Sequence, residues 1–351
     1  MLFVQKMSIE KKFSLLKNIW EYEKILVSKT MGGMRQLKAT AKQKEKKNFD
    51  IVILMRKIWA RRWLYVMLIP FVAFFAIFVY KPMWGIQIAF KDYSVFKGMS
   101  GSPWVGLANF KSFFASPYAA RVIRNTLLIS LYSLAIAFPA PIIFALLLNE
   151  VRNAAFKKTV QTVSYLPYFI STVVVAAMVT SFLSPSNGIF NIIRDKLGLE
   201  KIYFLTQPQY FRTILITMQI WQGVGYGSVI YISALTSVDA QLYEACIIDG
   251  GGKWRQLIHV TIPGILPTVI LMFIIRIGNI VNVGYEDIIL LYQPSTYETA
   301  DVIGSYVYRI GIEGNNFGLS TSIGLLQSVI SLILVWASNM ASRKISETSL
   351  W

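Results

Sequence analysis

Ser237-Val-Asp-Ala-Gln-Leu-Tyr-Glu244-Ala-Cys-Ile-Ile-Asp249-Gly-Gly-Gly252-Lys-Trp-Arg-Gln-Leu-Ile-His-Val-Thr-Ile-Pro263 separates two apolar runs, at about residues 212–234 and 264–283. Each run is near the roughly 20 residues that carry a helix across a bilayer. The stretch between them is too polar to lie in lipid, so it reads as a connection on one membrane face. Asp239 is placed to N-cap a short helix from about Ala240, and three consecutive glycines end that helix because they tolerate left-handed backbone. A second turn of helix then leads to Pro263, with Trp254 and Leu257 available to apolar surroundings. The expected product is a stiff protrusion of helix, tight turn and helix.

Working outward, four more apolar runs occur at about 63–80, 126–148, 163–183 and 319–340. The expected fold is therefore an all-α integral membrane protein with six transmembrane helices. With 55% hydrophobic and 15% charged residues, the chain is far too apolar for an ordinary soluble domain. Residues 1–62 hold 16 Lys and Arg against 5 acids, which places the N-terminus in the cytoplasm. An even number of spans returns the C-terminus to the same side. The connection 237–263 then faces inward, and the inward segments together hold 23 of the 35 basic residues. Segment 81–125, with six basic residues and one acid, strains this assignment, but longer segments follow the rule less strictly.

The expected organisation is a basic cytoplasmic or interfacial segment 1–62, a transmembrane domain 63–340 and a cytoplasmic tail 341–351. No short apolar core with a small-residue cleavage site precedes the first span, so no removable signal peptide is expected. Ile9, Phe13, Leu16, Trp20 and Ile25 recur at roughly helical spacing among lysines. They form either a helix lying on an anionic leaflet or a solvated tail, and Met7, Met31 and Met34 are alternative starts. The net charge of +17 sits beside the apolar runs, which points to membrane lipids and not to nucleic acid. One Cys and one His leave no metal site and no Cys/His catalytic pair, and Cys246 reads as a small packing residue.

The connection resembles the EAA loop of ABC-importer permeases, whose pattern is Glu-Ala-Ala, three residues, Gly, nine residues, Ile, one residue, Leu-Pro. The matching positions are Glu244, Ala245, Cys246, Gly250, Val260, Ile262 and Pro263. Cys246, Val260 and Ile262 depart conservatively, and Gly251 stands where Ala is common. The resemblance implies a type I, maltose-permease-like subunit of the bacterial cytoplasmic (inner) membrane. It also implies partners: a second homologous permease subunit, two ATPase subunits and an extracytoplasmic solute-binding protein. Glu244, Ala245, Cys246, Asp249, Gly250 and Pro263 are then the ATPase-coupling residues, with Gly250 allowing close approach to backbone. No Gly-x-x-x-x-Gly-Lys-Ser/Thr occurs, and Gly250-Gly251-Gly252-Lys253 is followed by Trp254. The chain is thus expected to be a transport subunit without a cofactor, ATP and magnesium being bound by the partner ATPase.

Shorter motifs look like the sugar and polysaccharide-fragment branch of these permeases. They are Gly85-Ile-Gln-Ile-Ala-Phe-Lys-Asp-Tyr93, Trp104-Val-Gly-Leu-Ala-Asn-Phe110, Tyr165-Leu-Pro-Tyr-Phe-Ile-Ser171 and the closing Ser349-Leu-Trp351. The last two are similar to the subgroup associated with complex oligosaccharides. Taken singly, the aromatics also suit a membrane interface, and Pro167 suits a tolerated kink.

Polar residues inside the spans mark the candidate path. Gln219, Gln222, Gly223 and Tyr226 fall on one side of the fourth span, with Trp221 nearby, and Arg276, Asn279 and Asn282 do likewise on the fifth. At 1.5 Å per residue, Gln219 and Tyr226 lie about 10–21 Å from the outer end of their span, so the two sets can meet near mid-membrane. Amides, a phenol and an aromatic face suit sugar hydroxyls and rings. Arg276 suits a carboxylate or sulfate of an acidic oligosaccharide, held in bidentate geometry. The alternative is structural: Arg276 pairs with Glu286, Asp287 or a partner's acid, and the amides are helix-packing glue.

The segment 284–318 carries Glu286, Asp287, Glu298, Asp301 and Glu313 against Arg309 alone, which makes it a candidate docking face for a binding protein. The expected function is oligosaccharide import by alternating access. A different cargo such as a peptide or phosphate ester, a membrane-embedded glycan-processing enzyme, and a simple channel are the competing readings. The enzyme reading lacks supporting ligands around the adjacent Glu286 and Asp287.

Overall fold

A computed structural model describes residues 55–56 and 59–345. The basic stretch through residue 54, with its helical periodicity, and the tail beyond 345 lie outside the described residues. The chain divides at Pro82 into two compact units. In the first, α1 (Arg62–Phe74) runs on through a π turn at Phe75–Tyr80, and none of its side chains is buried. A helix that is apolar all round and uncovered is built for lipid or for another membrane helix.

The second unit, from Met83, is helical apart from its turns, and its only β pairing among the described residues is an isolated bridge between Lys91 and Trp104. Its main helices are α2 (Ala108–Ala115), α3 (Ala119–Tyr132), α4 (Pro139–Glu150), α5 (Ala154–Tyr165), α6 (Thr172–Phe182) and α7 (Ile189–Lys196). They are followed by α8 (Pro208–Thr236), α9 (Ala240–Ile248), α10 (Ile262–Gly278), α11 (Tyr285–Leu291), α12 (Ile303–Tyr308) and α13 (Phe317–Ile345). Helix α8, about 43 Å long at 1.5 Å per residue, is the central post against which α4, α5 and α10 pack. Gly225 on α8 is required by that packing: a Cβ there would lie 2.0 Å from the Ser164 carbonyl oxygen of α5.

Among the described residues, four helices are long and apolar enough to cross a membrane: Arg62–Phe90, Ala119–Glu150, Lys253–Gly278 and Phe317–Arg343. The third expected span, 163–183, is broken. Ala154–Phe169 and Thr172–Phe182 meet at 100°. Pro167 sits in a 3-10 turn at Leu166–Phe169, and Ser171 starts α6 afresh by accepting a hydrogen bond from the Val174 N–H. The fourth expected span is the full length of α8, yet α8 is not among the helices that meet the apolarity requirement, because Gln219, Gln222 and several glycines dilute it. The fifth stops early, at Gly278 instead of 283, with Asn279 as its C-cap.

Of the four π turns among the described residues, three share one cause, the fourth, Arg309–Glu313, having no proline after it. Phe75–Tyr80, Ser133–Ala137 and Leu257–Thr261 each lie just N-terminal to a proline, Pro82, Pro139 and Pro263 respectively. A proline cannot donate to the carbonyl four residues back, and its ring crowds that carbonyl, so the preceding turn widens. At the second of these, the Phe138 N–H reaches back five residues to the Ser133 carbonyl at 2.9 Å.

Candidate functional site

The widened turn at Ser133, the break at Tyr168–Thr172, α8 and the end of α10 enclose a cavity of about 930 Å³. That is room for a few sugar rings. Gln219, Gln222, Gly223, Arg276, Asn279 and Asn282 all line it, as do Ser130, Ser133 and Asp287. The Arg276 guanidinium donates from Nη2 to Ser133 Oγ, and among the described residues it makes no ion pair. Neither Glu286 nor Asp287 is its partner. Instead Asp287 Oδ2 accepts from Gln219 Nε2 at 2.8 Å, while Gln219 Oε1 is buried without a hydrogen-bond partner.

Two sequence expectations need correction here. Asn279 and Asn282 do not share a helical face with Arg276, since the chain turns after Gly278: Asn279 N–H bonds the Arg276 carbonyl at 3.1 Å and Asn282 N–H the Asn279 carbonyl at 3.0 Å. They reach the cavity because the helix has ended, with Asn282 Oδ1 held by Gln327 Nε2 of α13 at 2.6 Å. Tyr226 and Trp221 are not among the lining residues. Tyr226 stacks on Tyr168, centroids 4.0 Å apart at 10°, and also meets Phe169 edge-on. Trp221 lies in a separate apolar groove of about 450 Å³, with Met178, Phe182 and Phe190.

The aromatic lining comes from Phe138, Tyr168, Phe169 and Tyr231, of which Tyr168 and Phe169 were read in sequence only as part of a motif. Gln222 Nε2 donates to the Ile170 carbonyl at 3.0 Å, occupying an acceptor that the break leaves free. Ser130 and Ser133 were legible in principle as small polar residues three apart on one helix, upstream of Pro139. Asp287 carried no such signal, because its partner Gln219 is 68 residues away.

At the far end of α8, Asp239 Oδ1 accepts from the Gln241 N–H at 2.9 Å and begins α9 as its N-cap. Gly250, at φ +74°, ends it. The turn is tight: Gly251 N–H bonds the Cys246 carbonyl at 2.7 Å, and a Cβ on Gly251 would meet Cys246 Sγ at 2.4 Å. Gly at 251 thus accommodates the larger Cys at 246 and tightens the turn. Tyr243 OH and Thr261 Oγ1, 3.1 Å apart, tie α9 to the base of the next helix. That helix is continuous from Lys253 to Gly278, so the expected second turn is already part of the fifth span. Glu244 and Ala245 are exposed, and Ile248 and Trp254 stand 85% and 77% exposed, an apolar surface with no cover among the described residues.

The connection between α10 and α13 is not a simple solvated acidic face. Asp301 is fully buried and paired with Arg309 at 2.7 Å and Arg121 at 3.2 Å. Burial works to lower the Arg309 pKa, but hydrogen bonding to Asp301 and that carboxylate's charge outweigh it and hold the guanidinium above its ordinary value. Asn125 of α3 donates to the carbonyls of Glu298 and Asp301 at 2.9 and 3.0 Å, and its own oxygen accepts from Arg212 of α8. The connection is thereby fastened to α3 and α8.

Residues 137–347 match the family described as binding-protein-dependent transport system inner membrane component. The chain belongs to this family. The permease is therefore a membrane transport subunit and not an enzyme. It is 41% identical over 290 residues to Protein LplB of Bacillus subtilis strain 168, covering 83% of this chain and 91% of that protein. It is 40% identical to the polygalacturonan/rhamnogalacturonan transport system permease protein YteP of the same organism, over 85% of this permease and 93% of the relative. Its fold matches a chain of a bacterial alginate ABC transporter crystallised in complex with alginate pentasaccharide-bound periplasmic protein. That match has a TM-score of 0.79 and 43% identity, and covers 85% of this permease and 99% of that chain. Among the described residues no cluster of His, Cys, Asp and Glu could hold a metal ion.

Proposed function

We propose that this permease forms half of the transmembrane path of an ATP-driven importer of oligosaccharides, acidic polysaccharide fragments in particular. The supporting observation is Arg276: a guanidinium lining a cavity of about 930 Å³, held by a serine hydroxyl and, among the described residues, in no ion pair. Such a cation invites a carboxylate, and the amides and ring faces around it suit sugar hydroxyls and rings. The polygalacturonan/rhamnogalacturonan and alginate transport for which the similar proteins are named agree with that chemistry.

In this reading the transmembrane domain 63–340 crosses six times, with segment 1–62, loop 237–263 and tail 341–351 in the cytoplasm. The sixth crossing is α8, whose polar residues belong to the path, and the broken α5–α6 pair counts as one. Glu244, Ala245, Cys246, Asp249, Gly250 and Pro263 form the lever on which one of two partner ATPases acts. A second homologous permease closes the path, and a solute-binding protein delivers cargo outside. ATP and magnesium stay with the ATPases. Because α8 and α10 both leave the lever and both line the cavity, one push on it moves two walls together.

Uptake measured in the reconstituted complex tests both parts. Arg276→Ala is expected to reduce uptake of an acidic oligosaccharide by more than tenfold relative to a neutral one; equal losses would remove the carboxylate reading and leave a phosphate ester or neutral cargo in contention. Glu244→Ala combined with Gly250→Pro is expected to abolish ATP-driven uptake. Normal uptake in that variant would remove the lever.

A further inference from the structure

The cavity has two chemically opposite poles, and we infer from them that its preferred cargo is a uronate joined to a neutral sugar, in preference to a run of uronates. The inference rests on the reading of this cavity as the oligosaccharide path. At one pole stands Arg276, a group with five N–H donors and no acceptor, one of which is used on Ser133 Oγ. That pole takes a carboxylate.

The other pole is made of acceptors. Asp287 Oδ2 receives the Gln219 amide at 2.8 Å, which fixes the amide so that nitrogen faces the carboxylate and Gln219 Oε1 faces away. That oxygen is buried away from the cavity space and has no hydrogen-bond partner among the described residues. The acceptors that cargo can reach are those of the Asp287 carboxylate, which lines the cavity and has lone pairs to spare beyond the one that Gln219 occupies. The pair packs against the chain at Gly284, where a Cβ would lie 2.9 Å from Asp287 Oδ2 and 3.5 Å from Gln219 Nε2 and so would push the carboxylate aside. What this pole lacks is donors, and the vicinal hydroxyls of a neutral sugar supply them.

A second uronate would bring its carboxylate to an anion, and like charges repel. Arg276 and Asp287 line the same cavity without forming an ion pair, and each is held by a neutral partner. One carboxylate therefore fits, at the arginine, with a hydroxyl-bearing ring at the aspartate. The two poles also give the cavity a sense of direction along the sugar chain.

The experiment uses the whole complex with its binding protein, reconstituted in proteoliposomes, and three probes of equal length: an oligogalacturonate, an alternating uronate–neutral oligomer and a neutral oligomer. Each variant is compared with the parent through the same binding protein, so that protein's own preference divides out. Asp287→Asn is expected to raise uptake of the oligogalacturonate relative to the alternating oligomer by roughly tenfold; an unchanged ratio overturns the inference. Should that variant fail to assemble, Asp287→Ser removes the anion while keeping an acceptor for the Gln219 amide, and is expected to raise the same ratio by a similar factor, an unchanged ratio again overturning the inference. Failure of the parent complex to take up either acidic probe removes the acidic-oligosaccharide reading itself, a result distinct from failure of the two-pole arrangement.

Discussion

Tyr168 stacks on Tyr226 with ring centroids 4.0 Å apart and planes inclined by 10°, so the break in the third span is clasped to the middle of α8. A pair of this kind contributes about 0.5–1.5 kcal/mol beyond the area it buries. Tyr226→Ala is therefore expected to let the break open more often, whereas Tyr226→Phe keeps the stack. A cysteine placed at Ser171, in a Cys246→Ala background, reports the opening through its reaction rate with a water-soluble maleimide. That rate should rise about fivefold in Tyr226→Ala, as about 1 kcal/mol implies, and stay near the parent's in Tyr226→Phe. Equal rates in all three would show that the stack does not hold the break.

The glycine turn makes a second prediction that depends on a pair. Because a Cβ on Gly251 meets both Cys246 Sγ at 2.4 Å and the Cys246 carbonyl oxygen at 2.6 Å, Gly251→Ala forces the turn apart. Overpacking of this kind typically costs about 1–3 kcal/mol. Co-purification of the ATPase subunits should fall sharply. Adding Cys246→Ala removes the sulfur though not the carbonyl, so the double variant should recover part of the loss. A double variant no better than the single one would place the whole cost on the backbone contact.

Much of this was legible because it is local. The run of apolar residues, the Asp239 cap and the glycine stop are written within a few positions of each other, and each has one physical consequence. The three π turns that precede a proline were equally local, but the apolar runs gave no reason to look for them. What sequence could not supply was long-range pairing. The partners of Gln219 and Arg276 lie 68 and 143 residues away, and the buried Asp301 meets Arg121 across 180. Helical spacing also put Tyr226 on the cavity wall and carried Asn279 and Asn282 on a helix that has ended before them, because a lattice of i, i+3 and i+4 assumes that the helix continues and that its polar face looks at the cavity. Gly278 ends the one assumption and Tyr168 the other.

Asp301 is the anchor of the connection between α10 and α13, being fully buried between two arginines and also accepting from Ser305 Oγ at 2.9 Å. Asp301→Asn leaves Arg121 and Arg309 close together with their shared anion gone, a change that typically costs about 3–5 kcal/mol. The melting temperature of the detergent-purified complex should drop by several degrees, and a protease should cut within residues 284–316 before it cuts elsewhere. Loss of uptake with unchanged melting and unchanged proteolysis would instead assign Asp301 to the transport path.

Lys253 Nζ lies 3.0 Å from Glu150 Oε2, linking the first turn of the lever's second helix to the last residue of α4. Both side chains are more than half exposed, so the pair contributes at most about 1 kcal/mol to stability. Each charge also sits at the wrong end of its helix for the helix dipole, Lys at an N-terminus and Glu at a C-terminus, and pairing offsets that cost. Its mechanical effect is separate from its energy, because it is a direct tie between the lever and α4, which packs against α8. Glu150→Gln and Lys253→Gln are each expected to leave melting within about 1 kcal/mol of the parent while lowering uptake per ATP hydrolysed. The charge-swapped pair, Glu150→Lys with Lys253→Glu, restores the contact and relieves both dipole conflicts, so uptake per ATP should return. If the swap stays as poorly coupled as the single variants, then the contact is incidental and the lever moves α8 and α10 without α4.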